Sequence, residues 1–195
     1  MGWSSLSINL PPKLVCVFSH TSYCDFFLML LYQYGYELKL KTLIKPCYFN
    51  GLSGWLLRQV GGIEATPIDE RNGGAVQRIV NELHLLPQYH FMISPKGSIL
   101  KAEWRSGYFH IARLLNVPII AVGLDYEEKK VKYGRLINHD NEVIVKELLY
   151  EDLKEMIPLY PEQEVMPLRP HGETSVVSYL WYKVILIICI VKYFT

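Results

Sequence analysis

One stretch near the start of the chain, KLVCVFSHTSYCD at residues 13–25, carries the clearest signals of fold and function. Its first six residues are apolar apart from Lys13, which is typical of a strand buried on both faces of a sheet. The pattern then breaks, and another apolar run follows over residues 26–34. Because Ser22 and Asp25 have the spacing of a capping box, we expect a helix to begin here.

His20 and Asp25 lie where this strand gives way to this helix. On a straight helix their side chains would be about 140° apart, so they can meet only if His20 ends the strand and Asp25 lies in the first helical turn. A neutral imidazole is a general base near neutral pH when a carboxylate fixes its tautomer. The alternative is that Asp25 only caps the helix and that His20 is a solvated loop residue.

Apolar runs and helical periodicities alternate along the rest of the chain. We expect strands over residues 13–18, 37–44, 63–68, 90–94, 117–125, 131–136 and 143–145, and helices over residues 26–34, 49–60, 74–85, 106–115 and 148–157. This alternation indicates an α/β fold with a mostly parallel central sheet flanked by helices.

Ligands of such folds bind beyond the carboxyl ends of the strands. His20 follows one predicted strand, residues 69–71 follow another, and residues 94–98 follow a third. The sequence therefore predicts that these three segments lie along one edge of the sheet.

Four blocks of sequence resemble, in order, the motifs of the glycerolipid acyltransferases, the family of the 1-acyl-glycerol-3-phosphate acyltransferases. The first block is the His-x4-Asp pattern of His20 and Asp25. The others are GWLLRQVGGI and PIDERN (residues 54–63 and 67–72), MISPKGS (92–98) followed by WRSGYFHIA (104–112), and NVPIIAVG (116–123). The resemblance runs from about residue 13 to about residue 161 and implies a glycerolipid acyltransferase-like fold.

The resemblance implies transfer of a fatty acyl chain from a thioester to a hydroxyl of a lysophospholipid or glycerol phosphate. Acyl-CoA or an acyl carrier protein would be the co-substrate, with no cofactor or metal. His20 would be the general base and Asp25 would orient its ring. The implied substrate-binding residues are Asp69, Arg71, Lys96, Gly97 and Ser98.

The roles within this set differ in how well the residues alone support them. Arg71 would hold the acceptor's phosphate as a bidentate donor, although a solvated loop arginine paired with Asp69 or Glu70 is the simpler interpretation without the family. Backbone N–H groups around Gly97 would stabilise the oxyanion. Lys96 stands where the family pattern has glutamate. It is either a second phosphate contact or a turn lysine that faces water.

Two other functions are considered. The first is a lipid-binding, membrane-associated member of the same family whose altered third motif has lost turnover, but the presence of both His20 and Asp25 favours an active enzyme. The second is an α/β hydrolase, which is poorly supported because the sequence lacks a Gly-x-Ser-x-Gly nucleophile elbow.

The amino-acid composition argues against a nucleic-acid partner, a metal site and a disulfide framework. With 20 basic and 19 acidic residues, the chain has almost no net charge, so we expect no nucleic-acid partner. The four cysteines lack metal-ligand spacing, so we expect neither a metal site nor a disulfide framework. Cys16, Trp55 and Trp104 are expected in the core. The remaining histidines are expected to be structural or exposed, namely His84, His90, His110, His139 and His171.

We expect three regions along the chain: an acyltransferase domain over residues 1–160, a proline-rich linker over 161–175 and a hydrophobic tail over 176–195. We expect no signal peptide and no N-terminal membrane helix. The tail is almost wholly apolar but is interrupted by Lys183. It would be a C-terminal anchor or an interfacial helix, or else a last core element or a segment without a role. These features predict membrane association at the cytoplasmic face.

Overall fold

The computed structural model describes residues 4–5, 9–19, 21–65, 74–96 and 104–159, which form one sheet flanked by helices. The strands are β1 (Ser4–Ser5), β2 (Lys13–Phe18), β3 (Leu40–Ile44), β4 (Gly62–Glu64), β5 (Tyr89–Ile93), β6 (Ile119–Asp125) and β7 (Lys130–Ile137). The helices are α1 (Tyr23–Gly35), α2 (Gly51–Gln59), α3 (Gly74–His84), α4 (Gly107–Leu115) and α5 (Glu142–Lys154), and a 3-10 turn spans Pro46–Tyr48.

The sheet has the strand order β1-β7-β6-β2-β5-β3-β4. Every neighbouring pair is parallel except β6 and β7, which are antiparallel. β2 lies at the centre, with Val17 opposite Ile93 of β5 and Phe18 opposite Val122 of β6. The predicted α/β fold with a mostly parallel sheet is therefore confirmed.

The central strand β2 is buried on both faces, as its apolar run predicts. On one face, Val15 and Val17 belong to a core cluster that includes residues of α3, α4 and α5. On the other face, Leu14, Cys16 and Phe18 pack in a cluster with Met29 of α1. Helices therefore cover both faces of the sheet. A ligand site is then expected at the ends of the strands.

Helix α1 begins as the sequence predicts. Ser22 is the N-cap, and its hydroxyl accepts a hydrogen bond from the N–H of Cys24 at 3.1 Å. The Asp25 carboxylate accepts from the Ser22 N–H and completes the capping box. Two orphan N–H groups of the helix terminus are thereby satisfied, which fixes where the strand ends and the helix starts.

The predicted strand over residues 143–145 is wrong. Asn141 caps a helix instead, accepting the N–H of Val143 on its side-chain oxygen at 2.9 Å. The β-branched residues favour a strand locally, but a helix of this length buries one whole face against the sheet. That buried face is formed by Val145, Leu149 and Leu153.

The predicted strand over residues 37–44 begins later than expected. Glu37 has φ 53°, a left-handed conformation that no strand contains, and β3 starts at Leu40. No helix in the described part of the chain is long and apolar enough to cross a membrane. The predicted linker (161–175) and tail (176–195) lie outside the described residues.

Candidate active site

The carboxyl ends of β2, β5 and β6 meet at one edge of the sheet because the three strands are adjacent and parallel. Ser19 follows β2, Ser94 follows β5 and Tyr126 follows β6. The first turn of α1 returns over the same edge directly after β2. Polar side chains from four elements therefore converge where an α/β fold binds its ligands.

Asp25 is the buried carboxylate of this edge, with 2 % of its surface exposed. Its Oδ2 accepts the backbone N–H groups of Thr21 at 2.8 Å and Ser22 at 3.0 Å. The N–H of Thr21 belongs to the peptide bond that joins it to His20. The capping box thus fixes the carboxylate against the chain segment that directly follows His20.

Tyr126 contributes a contact that the sequence analysis missed. Its hydroxyl donates a short hydrogen bond to Oδ1 of Asp25, the oxygen that the backbone N–H groups do not use. The two residues are 101 positions apart, and only the pairing of β2 with β6 brings their strand ends together. A polar residue directly after a fully apolar strand was the one available signal.

The turn that carries Tyr126 is held by the neighbouring buried residue Asp125. Burial by itself raises the pKa of the Asp125 carboxyl, but hydrogen bonds from the Glu128 N–H, the Lys132 ammonium and the Ile157 N–H outweigh it and lower the pKa. The Lys132 ammonium lies 2.7 Å from the carboxylate. The turn is therefore fixed by an ionised carboxylate between β7 and the end of α5.

Lys96 lies in the turn after β5 and is 4 % exposed. The interpretation of Lys96 as a turn lysine that faces water is therefore wrong. The base of the loop is closed by the Arg105 N–H, which donates to the Pro95 carbonyl at 3.0 Å. A buried ammonium requires negative or polar partners, so this turn holds a positive charge shielded from water.

Two buried hydroxyls, those of Ser94 and Tyr108, have no hydrogen-bond partner among the described residues. Burial, with a smaller effect from the charge of Glu142, raises the pKa of Tyr108 to about 12. Ser94 precedes Pro95 and Lys96 at the carboxyl end of β5. Its hydroxyl is a buried donor within the third sequence block, to which the sequence alone assigns no role.

Of the predicted site residues, the structure brings Asp25 and Lys96 to the same edge of the sheet. The others lie outside the described residues, and their roles stay predictions: His20, Asp69, Arg71, Gly97 and Ser98. Within the described ranges, no group of three His, Cys, Asp or Glu side chains is arranged to hold a metal ion.

The other histidines match the expectation that they are structural or exposed. His90 is buried, and its Nε2 lies 3.1 Å from the Pro11 carbonyl oxygen. Burial lowers the pKa of His90, partly offset by that carbonyl. His84, His110 and His139 are exposed, and His171 lies outside the described residues.

The burial of Trp104 and Cys16 agrees with the sequence predictions, whereas that of Trp55 does not. Trp104 packs against the core, in edge-to-face contact with Tyr108 at 6.2 Å between ring centroids. Trp55 was expected in the core, but it lies on α2 with 57 % of its surface exposed. Cys16 is buried in the core as predicted, and burial raises the pKa of its thiol. Cys24 is exposed beside Asp25.

Comparison with known proteins identifies one family. The Acyltransferase family model matches residues 7–125, a span that contains β2 to β6 and all four sequence blocks. Searches with the chain matched no curated protein and no solved structure.

Proposed function

Because the chain belongs to the Acyltransferase family, the family of glycerolipid acyltransferases, we propose that it moves a fatty acyl chain from a thioester to a hydroxyl of a lysophospholipid or glycerol phosphate. The donor is acyl-CoA or an acyl carrier protein. The observation that carries the proposal is the buried Asp25 carboxylate, which accepts the N–H of the peptide bond directly after His20.

In this proposal His20 is the general base. Its imidazole takes the proton of the acceptor hydroxyl while the oxygen attacks the thioester carbonyl and forms the new C–O bond. The tetrahedral intermediate then collapses, the C–S bond breaks, and the leaving thiolate takes the proton back from the imidazolium. Asp25 accepts the other ring N–H, which fixes the tautomer and stabilises the imidazolium.

The Asp25 carboxylate has enough hydrogen-bond acceptor sites for this role. An ionised carboxylate offers about four lone-pair sites. Three are used by donors in the described residues, the N–H groups of Thr21 and Ser22 and the hydroxyl of Tyr126. The fourth suits an imidazole N–H. Because the other three donors hold the carboxylate in place, it can orient the ring without moving itself.

The acceptor's phosphate is bound by Arg71 and Lys96, and Asp69 is a further substrate-binding residue two positions before Arg71. Arg71 supplies a bidentate donor, and Lys96 supplies a point charge. The burial of Lys96 supports this assignment, because an ammonium shielded from water attracts a phosphate more strongly than an exposed one. Such a pair of cations favours an acceptor that carries a phosphate over a neutral glycerolipid.

The oxyanion of the tetrahedral intermediate is stabilised by donors after β5. The backbone N–H groups of Gly97 and Ser98 fill this role, and glycine lets the chain approach the substrate closely. The Ser94 hydroxyl, buried and without a partner among the described residues, offers a side-chain donor at the same turn.

The test is incubation of the purified chain with labelled acyl-CoA and a panel of lysolipids, beside His20→Ala. We expect label transfer by the natural sequence and a loss of about 10²- to 10⁴-fold in the variant, the usual contribution of a general base. His110→Ala, which removes an exposed histidine of α4, is the matched control and should keep full activity. Transfer that persists in His20→Ala would refute the mechanism.

A second candidate, a lipid-binding member without turnover, is favoured by Lys96 in place of the family's glutamate. It predicts that the chain binds lysophospholipid yet transfers label from neither acyl-CoA nor an acyl carrier protein. The same incubation with both donors, run beside a lysolipid binding assay, separates the two candidates.

A further inference from the structure

Helix α2 packs into the protein through a face made of two small residues and one leucine. Its buried residues are Ser53, Gly54 and Leu57. The Ser53 hydroxyl donates to the Asn50 carbonyl at 2.7 Å, and Gly54 lies so close to the Phe49 backbone that a Cβ would overlap it. The helix can therefore approach the Phe49 backbone because Gly54 has no side chain, while Leu57 packs in the core with Ile44 and Phe49.

The opposite face of α2 carries further large apolar side chains, and these are exposed. Leu52 is 64 % exposed and Trp55 is 57 % exposed, one turn apart, and around the helix axis Leu52 lies between Trp55 and the half-buried Leu56. An ordinary surface helix buries its apolar stripe and exposes its polar one. α2 buries Leu57 as such a helix does, but it also exposes Leu52 and Trp55, and adjacent large apolar side chains at the surface mark a place that binds something apolar.

The charged residues around α2 indicate which kind of partner binds this surface. Between Glu37 and Glu64 the sequence contains no acidic residue, and it contains the cations Lys39, Lys41, Lys45 and Arg58. Lys45 is exposed shortly before α2, and the Lys41 side chain passes beside Gly61 shortly after it. Arg58 is exposed and pairs with Glu64 at 3.5 Å. Lysines therefore lie near both ends of α2, with Lys45 exposed, whereas the charge of Arg58 is offset by Glu64.

The position of α2 relates this face to the active-site edge. β3 is parallel to β2 through β5, so the chain leaves β3 at the same edge of the sheet as the predicted catalytic residues. α2 follows directly and returns to the start of β4. Leu52, in its first turn, is therefore nearer to that edge than the rest of the helix.

We propose that α2 is a docking helix for an anionic lipid bilayer. Leu52, Trp55 and Leu56 enter the boundary between headgroups and acyl chains, where tryptophan is favoured, and Lys45 meets the anionic headgroups. The lipid surface fits better than a second copy of the chain, because two such cationic faces would repel one another. The inference rests on the proposed function in that it explains how the enzyme reaches a lipid acceptor.

The test is cosedimentation of the full chain with vesicles of phosphatidylcholine alone or mixed with phosphatidylglycerol. We expect stronger binding to the anionic vesicles, weakened by salt, and about tenfold weaker binding for the double variant Leu52→Gln/Trp55→Gln. Leu85→Gln, which removes an exposed leucine after α3, is the matched control and should bind like the natural sequence.

A site-specific readout separates α2 from any other lipid-binding segment. Brominated lipids in the anionic vesicles should quench the tryptophan emission of the natural sequence more than that of Trp55→Phe. Equal quenching, or a double variant that binds as tightly as the natural sequence, would overturn the proposal. So would a double variant that converts a dimer to a monomer, because the face would then bind a second copy.

Activity on a water-soluble short-chain acceptor keeps this inference distinct from the proposed function. The double variant should retain that activity, because α2 contains none of the proposed catalytic or acceptor-binding residues. A chain that docks on vesicles but transfers no label would contradict only the proposed function. A chain that transfers label but ignores vesicles would contradict only the docking helix.

Discussion

Asp25 combines a structural and a proposed catalytic function at the scale of one residue. Its carboxylate ends the strand-to-helix turn by accepting the Thr21 and Ser22 N–H groups, and it also accepts the Tyr126 hydroxyl. A base that must hold one ring geometry needs a partner that does not itself move. The cap supplies that rigidity, so in the proposed mechanism helix initiation and catalysis use the same side chain.

Tyr126→Phe tests the contribution of the hydroxyl to this carboxylate. Without that donor, Asp25 carries more charge and stabilises the imidazolium more, so the pKa of the proposed base should rise. Because only the neutral ring accepts a proton, the acidic limb of the kcat/KM profile should shift to higher pH, with a loss of about tenfold at neutral pH.

Tyr133→Phe is the control for this experiment. It removes another partly buried hydroxyl, one that donates to the Tyr32 hydroxyl at 3.2 Å on the α1 side of the sheet, without touching Asp25. Its pH profile should match that of the natural sequence. If the pH profile of Tyr126→Phe is not shifted, the hydroxyl contributes to packing alone and does not affect the proposed base through Asp25.

At the scale of elements, the turn after β6 connects the site to α5. Asp125 accepts the Ile157 N–H, and the Tyr126 N–H donates to the Ile157 carbonyl at 2.9 Å. The end of the last described helix therefore fixes the residue that holds Asp25. Damage to this connection should reach the active site through Tyr126, although α5 itself lies outside the matched family span.

Asp125→Asn tests this connection through stability. Because the folded protein lowers the pKa of Asp125, the carboxylate stabilises the fold above its unfolded pKa of about 4, and this stabilisation is lost as pH falls through the folded pKa. The variant should lose about 1–3 kcal/mol at neutral pH, because Lys132 and two N–H groups lose a charged partner. Its unfolding free energy should also fall less steeply in acid.

Denaturant unfolding at neutral and acidic pH measures both effects. Glu128→Gln is the control, because that carboxylate also binds Lys132 but is exposed to water and should matter little. Equal stability of Asp125→Asn and the natural sequence at neutral pH would contradict this account of the turn.

At the scale of the whole molecule, the features that depend on neighbouring residues could be predicted from the sequence. Those that depend on the order of the strands could not. β2 and the start of α1 follow from an apolar run and a capping box, which are properties of neighbouring residues. The helix predicted over 148–157 begins earlier, at Glu142, and its start was missed because the β-branched residues there favour a strand when tertiary packing is not considered. The Tyr126–Asp25 contact depends on strand order, which single-sequence periodicity does not contain.

The exposure of Trp55 illustrates the same limit. A tryptophan in a short amphipathic segment is usually buried, and the sequence gives no sign that Gly54 occupies the tight contact instead. The strand order also explains features outside α2. The central position of β2 brings one capped turn, one buried lysine and one tyrosine to the same edge.

The central claim, that His20 and Asp25 act as a unit, is tested most directly by a double-mutant cycle on acyl transfer. We would measure kcat/KM for the natural sequence, His20→Ala, Asp25→Asn and the combined variant. The account predicts that each single change is severe and that Asp25→Asn causes little further loss once His20 is gone, because the carboxylate acts only through the ring. Losses that simply multiply would contradict it.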